Sequence, residues 1–291
     1  MRKKVSVSIV LPAHNEEKGL ELLLPDLKKL YPAYEILVID DGSTDSTKQI
    51  CKRNNVNIFS KPYSMGNGAA IKTGARQANG ELIVFMDADG QHKAKDVRQL
   101  VDKLLNEDYD MVVGAREIST HSSMLKRAGN WAFNRFASIM TGHKILDLTS
   151  GFRVVKADIF RKFLYLLPNG FSYPTTSTMA FFRSAYAVGY IEIHAGIRQK
   201  GTHSNIKVIR DGIRFFIIIL KIGALYSPMR LFLPISFLTF LTGLGHYVYT
   251  YIEQSRFTNM SALLMISSLM IFLIGILSEQ VSSLHYRDSK N

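Results

Sequence analysis

One cysteine and one tryptophan are all that the 291 residues contain of either type. The lone Cys51 excludes an internal disulfide and suits a reducing compartment. A single thiol of this kind is ordinarily packing rather than a nucleophile. The start, Met1-Arg2-Lys3-Lys4, is charged but lacks the apolar core and cleavage site of a signal peptide. The first domain is therefore expected to stay in the compartment where it is made. Zinc-ligand spacings, RNA-binding signatures and coiled-coil repeats are absent too. A net charge of +12 without those motifs points to an anionic membrane face or a phosphorylated substrate, and no nucleic-acid partner is expected.

Charge itself is missing from two long runs, Leu231 to Ile252 and Asn259 to Ser278. Each is about long enough to cross a hydrocarbon core as a helix, and two in succession are rare in soluble domains. Lys221 and Arg230 precede the first run, Arg287 and Lys290 follow the second, and the connecting Glu253-Gln254-Ser255-Arg256 is neutral overall. The positive-inside rule then puts both ends in the cytoplasm and a short loop outside. Upstream, between Ile206 and Tyr226, Lys207, Arg210, Arg214 and Lys221 fall on one helical face beside Ile209, Ile213, Phe216, Ile217 and Leu220. Such a helix reads as lying in the membrane interface among anionic headgroups. An ordinary amphipathic helix packed on the domain is the alternative. The expected organisation is a first domain over 1–205, an amphipathic interfacial region over 206–229, and a two-helix transmembrane hairpin with a short tail over 230–291.

Strand and helix signals alternate through the first domain. Val5 to Leu11, Glu35 to Ile39, Val56 to Phe59, Leu82 to Met86 and Met111 to Val113 read as strands. Glu16 to Leu30, Ser43 to Arg53, Ala69 to Ala78 and Lys95 to Asn106 read as helices. This alternation predicts an α/β domain with a doubly wound, mostly parallel, Rossmann-like sheet.

Polar clusters fall where the strands end. Asp87-Ala88-Asp89-Gly90-Gln91-His92 follows directly on the apolar run that closes at Met86. Open α/β sheets bind ligands at such carboxyl ends. A carboxylate pair there must be hydrated, protonated or neutralised by a cation. Hard oxygen ligands suit Mg²⁺ or Mn²⁺, which in turn grip diphosphate oxygens. Asp-X-Asp alone is equally common in solvated turns, so its neighbours matter. Pro12-Ala13-His14-Asn15-Glu16 closes the first strand, and Asn15 and Glu16 can accept hydrogen bonds from a base or ribose edge. A helix N-terminus with helpful acidic residues is the simpler reading of the same stretch. Asp40 and Asp41 close the second strand; Asp40 is placed to meet a nucleoside, while Ser43 or Thr44 can cap the next helix. Gly66-Asn67-Gly68-Ala69-Ala70 either lets backbone approach a phosphate or sugar closely or is a simple loop.

Taken in order, Pro12 to Glu16, Asp40 to Asp45, Gly66 to Gly74, the Asp87/Asp89 pair and Asp147-Leu148-Thr149-Ser150-Gly151-Phe152-Arg153 resemble the family-2 glycosyltransferases of GT-A fold. The Ser-Gly-Phe-Arg element and the two C-terminal runs look more specifically like polyprenyl-phosphate sugar synthases, a group that includes dolichyl-phosphate mannose synthase and bacterial undecaprenyl-phosphate sugar transferases. The resemblance covers nearly the whole chain. Two departures stand out. Lys93-Ala94 occupies the place where the family often has prolines, and Ser204-Asn205 the place of a frequent Ser-Lys, leaving Lys200 and Lys207 as substitutes for that lysine.

The resemblance implies an inverting transfer of one sugar from a UDP- or GDP-sugar to a polyprenyl phosphate at the cytoplasmic membrane face. It implies Asp87, Asp89 and Gln91 as holders of Mg²⁺ or Mn²⁺, and a nucleotide-sugar pocket of Pro12, Ala13, Asn15, Glu16, Asp40, Asp41, Gly68, Asp87 and Ala88. A lipid phosphate is already anionic at neutral pH, so the reaction needs an electrostatic clamp more than a base. Arg116, Arg127, Arg153 and Arg198 are the arginines for that clamp, with Ser204 beside the acceptor phosphate. Asp89, Arg153, Arg116 and Arg198 form the expected catalytic set, and the role of Asp147 stays open. His92 is close enough in sequence to touch the site, whereas His14, His121, His143 and His194 read as surface or satisfied core residues. A processive polysaccharide synthase is the alternative enzyme. Trp131, however, lies in no Gln-X-X-Arg-Trp signature, and two spans are few for a polymer channel. An inactive nucleotide-binding membrane scaffold is the alternative outside catalysis. Hairpins bundled into a homo-oligomer are compatible with the sequence.

Overall fold

Strand β1 (Val7–Ala13) is buried along nearly its whole length, as expected of a central parallel strand covered on both faces. The computed structural model describes residues 5–116, 124–170, 172–193, 217, 220–221 and 223–287. Around β1 are β2 (Glu35–Asp40), β3 (Asn57–Ser60), β4 (Leu82–Phe85), β5 (Met111–Arg116), β6 (Arg153–Lys156) and β7 (Val188–Ile193). They form one sheet in the order β3-β2-β1-β4-β6-β5-β7. Every pair is parallel except those of β6, which runs antiparallel to both β4 and β5. The mostly parallel sheet expected from the sequence is what forms. Strands β6 and β7 are the two that the alternating pattern did not announce.

The helices cover this sheet with the periodicity that their leucines and valines set. Helix α1 (Glu17–Leu30) buries Leu20, Leu23, Leu24 and Leu27. Helices α2 (Thr47–Arg53) and α3 (Asn67–Gln77) follow β2 and β3. Helix α4 (Asp96–Asn106) buries Val97, Leu100, Val101 and Leu104, a stripe at 3.6-residue spacing. After β5 come α5 (Met124–Thr141), then α6 (Ala157–Lys162) and α7 (Tyr173–Arg183) flanking the turn from β6 towards β7. The reversal of β6 pairs Phe85 with Arg153. Residues 147–152, which lead into β6, therefore meet the edge of the sheet where β4 ends.

The chain divides into two units, Met1–Arg135 with Lys144–Asn205, and Phe136–His143 with Ile206–Asn291. The second contains α8 (Pro228–Gln254) and α9 (Asn259–Arg287), two antiparallel helices joined by a short loop. Ser236 and Ser268 each donate a hydroxyl to the other's carbonyl at 2.9 and 3.0 Å, and the Met229 amide donates to Glu279 at 3.3 Å. Arg230 reaches the carbonyls of Ile139 and Met140 at the base of the hairpin. Both helices are long and apolar enough to cross a membrane, yet only 11% and 17% of their most apolar windows are buried. A core helix would hide that surface; an outward apolar surface suits lipid. Tyr247, Tyr251 and Phe257 cluster by the loop, as aromatic residues do at a membrane interface. The basic face expected at Lys207, Arg210 and Arg214 lies outside the described residues.

Candidate active site

At the carboxyl ends of β1 and β2, two loops are tied together by reciprocal side-chain to backbone bonds. The Asn15 amide donates to Ser43 Oγ at 2.9 Å, and the Thr44 amide donates to Asn15 Oδ1 at 2.8 Å. The Glu17 amide donates to Asp45 and the Ser46 amide to Glu17, each at 3.1 Å. Asn15 makes this turn with φ of 57°, a left-handed conformation that asparagine tolerates better than most residues. Its amide carbonyl, expected at a base or ribose, is thus engaged in the loop. Pro12 is half-buried and Ala13 buried beneath it, with Glu16 half-buried alongside.

Asp40 is wholly buried and accepts the Ser43 amide on Oδ1 at 2.8 Å, while Oδ2 has no hydrogen-bond partner among the described residues and lies 3.5 Å from Lys48 Nζ. Burial pushes its pKa up, but hydrogen bonds from Ser43 and Ser60 and the charge of Lys48 outweigh it and hold the carboxyl below its ordinary value. An ionised carboxylate is therefore enclosed at the end of β2, where it holds the Ser43 turn; with no exposed surface it meets no ligand directly in this conformation.

Asp41 differs from expectation. Its carboxylate accepts Lys61 Nζ, Ser64 Oγ and the amides of Met65 and Gly66 at 2.7–3.1 Å. It organises the loop before α3 and has little capacity left for a nucleotide. Gly68 is likewise corrected. A Cβ there would lie 2.0 Å from the Pro168 carbonyl oxygen, and the amides of Gly68 and Ala69 donate to the carbonyls of Gly170 and Asn169. The glycines of this loop admit another stretch of the chain's own backbone, not a phosphate.

Beyond β4, Asp87 and Asp89 are both half-buried, with the Ala88 side chain packed beneath them. The Gln91 amide donates to Asp89 Oδ1 at 3.1 Å, closing a turn in which Gly90 adopts φ of 75°. His92 is buried, stacks on Phe152 at 4.8 Å and places Nε2 4.0 Å from Asp87 Oδ2. Burial drives its pKa down to about 4 against the pull of Asp89, so the ring is neutral at pH 7. Asp147, also buried, faces the same place. It accepts Arg116 Nε at 2.8 Å and Nη2 at 3.2 Å, and the amides of Thr149 and Ser150 at 3.0 and 3.1 Å. Burial lowers the pKa of Arg116, but Asp147 and the fields of Asp87 and Asp89 more than offset it. This guanidinium stays charged beside the acidic pair, with its side chain 27% exposed.

Arg153 requires the largest correction. It was expected at the acceptor phosphate, but its exposure is 0%. Nη1 donates to the Pro174 carbonyl, Ser177 Oγ and Thr178 Oγ1 at 2.8–3.0 Å, and Nη2 donates to the Ser150 carbonyl. A guanidinium enclosed in this way cannot meet a lipid phosphate. Arg198 and Ser204, with Lys200 and Lys207, lie outside the described residues, as does the Arg127 side chain. Tyr173 was not singled out in the sequence, and Gly151 stood there only as a member of the Asp147–Arg153 element. Asp147 followed by Thr149 and Ser150, an Asx-turn spacing, was the available signal that this segment is a built turn.

Among the described residues no three His, Cys, Asp or Glu side chains converge as a metal centre. Asp87 and Asp89 supply two half-exposed carboxylates at a strand end. That donor set fits a hard divalent ion whose other positions are filled by ligand oxygens or water.

A Rossmann-like sheet with an acidic pair beyond its central strand, followed by an apolar helical hairpin, defines a membrane-anchored transferase of GT-A type. The chain belongs to the glycosyl transferase family 2, which it matches over residues 8–164, and residues 227–284 match the GtrB C-terminal hairpin. It is similar to glycosyltransferase AglJ of Haloferax volcanii, at 25% identity over 98% of this chain and 96% of the relative. Dodecaprenyl-phosphate galacturonate synthase of Rhizobium johnstonii is 25% identical over 98% of this chain and 90% of its own. An uncharacterized protein of Methanocaldococcus jannaschii is 36% identical over 55% of this chain and 69% of the relative. In fold, the chain resembles glucosyl-3-phosphoglycerate synthase of Mycobacterium tuberculosis, solved with Mn²⁺ and UDP-glucose. That likeness has a TM-score of 0.61 at 20% identity, over 75% of this chain and 78% of that one. The chain is a glycosyltransferase that uses a nucleotide-sugar donor. Its C-terminal hairpin anchors it, with the catalytic domain on the cytoplasmic side by the charge rule.

Proposed function

We propose that this enzyme transfers one sugar, with inversion, from a nucleoside-diphosphate sugar to the phosphate of a polyprenyl phosphate at the cytoplasmic membrane face. The observation that carries the reading is the pairing, in one chain, of the Asp87/Asp89 turn at the end of β4 with an outward-facing apolar hairpin. A lipid acceptor makes sense of both. The near full-length likeness to a dodecaprenyl-phosphate galacturonate synthase supports it. In this reading residues 1–205 carry the chemistry, 206–229 lie at the interface and 230–291 span the bilayer.

Asp87 and Asp89, with Gln91, would hold Mg²⁺ or Mn²⁺. When bound, the ion screens the diphosphate and stabilises it as a leaving group. Manganese accompanies UDP-glucose in the solved mycobacterial relative. Asp40, wholly buried, would shape the nucleoside pocket by holding the Ser43 turn. Arg116, fixed by Asp147, keeps a positive charge where two anionic substrates must meet. Arg127, Arg198 and Ser204 are proposed to hold the acceptor phosphate. No side chain has to deprotonate the acceptor, because a phosphate monoester is already anionic at neutral pH.

The test is acceptor choice. Membranes containing the enzyme are given labelled nucleotide sugars with either polyprenyl phosphate or the corresponding polyprenol. The expected product is a labelled, mild-acid-labile lipid formed only with the phosphate. Equal labelling of the alcohol would refute the clamp, and label retained in a polymer would favour the processive alternative.

A further inference from the structure

Arg153 is a buried cation with no carboxylate at hydrogen-bonding distance among the described residues. Its charge is met by two carbonyls and two hydroxyls, and the Tyr173 ring lies 5.6 Å from the guanidinium centre. Enclosing a charge is unfavourable, and an apolar side chain of similar size would fill the space without that penalty. What the arginine does that an apolar residue cannot is hold specific oxygens. One of them is the Ser150 carbonyl. The next carbonyl, that of Gly151, accepts the Tyr173 hydroxyl at 2.7 Å. Two side chains from the core thus fix successive carbonyls of one turn.

The outer side of that turn touches the reaction centre. A Cβ added to Gly151 would lie 2.7 Å from Asp87 Oδ2 and 3.0 Å from Oδ1. The Asp87 carboxylate therefore rests against the bare Cα of Gly151. A half-exposed carboxylate with such a wall beside it samples fewer rotamers than one in open solvent, and groups behind metal ligands strongly influence affinity through this orientation.

We propose that Arg153 and Tyr173 are positioning residues, which brace the Ser150–Gly151 turn against Asp87 and thereby set the carboxylate that receives the divalent ion. This rests on the metal reading given under Proposed function. It assigns the buried arginine of the Ser-Gly-Phe-Arg element to the donor's ion and not to the acceptor.

The test uses full-length protein in detergent, with Mn²⁺ uptake followed by the electron paramagnetic resonance of the free ion, in the presence of UDP or GDP. Melting temperatures are taken alongside. Tyr173→Phe removes the hydroxyl and keeps the ring; Gly151→Ala adds the methyl that meets Asp87. Tyr31→Phe is the control, because it also loses a buried hydroxyl bonded to a backbone carbonyl, that of Ala94 at 2.9 Å. Tyr173→Phe and Gly151→Ala are expected to weaken Mn²⁺ uptake about tenfold, and Tyr31→Phe to leave it unchanged at a similar loss of melting temperature. Wild-type Mn²⁺ affinity in both site variants would overturn the proposal. So would an equal loss in Tyr31→Phe, which would make the effect one of general stability. A wild type that takes up no Mn²⁺ with either nucleotide would overturn the metal reading itself, and is distinguished because it is seen before any variant is made.

Discussion

Arg116 grips Asp147 with two nitrogens, Nε at 2.8 Å from one carboxylate oxygen and Nη2 at 3.2 Å from the other. The pair joins the end of β5 to the turn that precedes β6. It makes that turn part of the sheet edge at which Asp87 and Asp89 lie. Because Asp147 is buried while Arg116 is partly exposed, the two residues do not respond alike to substitution.

Asp147→Ala strips the acceptor from Arg116 and from the amides of Thr149 and Ser150. Breaking a buried pair from one side costs roughly 3–5 kcal/mol, and the water still reaching Arg116 places this case near 3. Thermal unfolding in detergent measures it. A loss below about 1 kcal/mol, the worth of a surface pair, would mean that the turn does not depend on this carboxylate.

Acid should unfold the catalytic domain through the same group. Burial alone would raise the Asp147 pKa, but Arg116 and the surrounding amides lower it below the ordinary carboxylate value. Asp40 and Asp41 are lowered too, with hydrogen bonds outweighing burial in each. A depressed folded-state pKa stabilises at pH above the unfolded value, near 3.9, and that stability is lost as pH falls through the folded pKa. Melting temperature should therefore drop steeply below about pH 4, and Asp147→Asn should flatten part of that drop. An unchanged acid limb in the variant would remove Asp147 from this explanation.

Topology can be read chemically because Cys51 is wholly buried and burial pushes its thiol up to about 11. The wild type should resist a membrane-impermeant maleimide added to intact cells. Ser255 lies in the exposed loop between α8 and α9, so Ser255→Cys should be labelled from outside. Labelling only after lysis would invert the orientation inferred from the flanking lysines and arginines.

The parts of the fold legible in the sequence were those governed by periodicity. The leucine stripe of α1, the continuous apolar run of β4 and the two uncharged runs of the hairpin each follow from where side chains must be buried. The strand-end position of Asp87 and Asp89 was legible for the same reason. What could not be read was direction. Nothing in Arg153-Val154-Val155 says that β6 runs antiparallel, yet that reversal brings Gly151 to Asp87. Nor does an arginine's charge show whether it faces water or a ring of hydroxyls. Arg153 follows Phe152 and precedes two valines on a buried strand, and there burial decided its role over charge. At Asp41 and Gly68 the sequence could not decide, because a turn rich in Asp and Gly serves a ligand and an internal loop equally well. Only the partners, Met65 and Gly66 for one and Pro168 for the other, separate the two uses.

The most direct measurement is the label found in organic-phase lipid when wild type, Asp87→Asn and Asp89→Asn are incubated with a labelled donor and polyprenyl phosphate, with and without EDTA. Both variants keep the strand-end turn in half-exposed positions and should remain folded. Wild type without chelator is expected to form the labelled lipid. Each variant, and the wild type in EDTA, is expected to lose at least about a hundredfold, as removal of an ion that stabilises the leaving group requires. Full lipid labelling by folded Asp87→Asn and Asp89→Asn would contradict the assignment of the reaction to this end of β4.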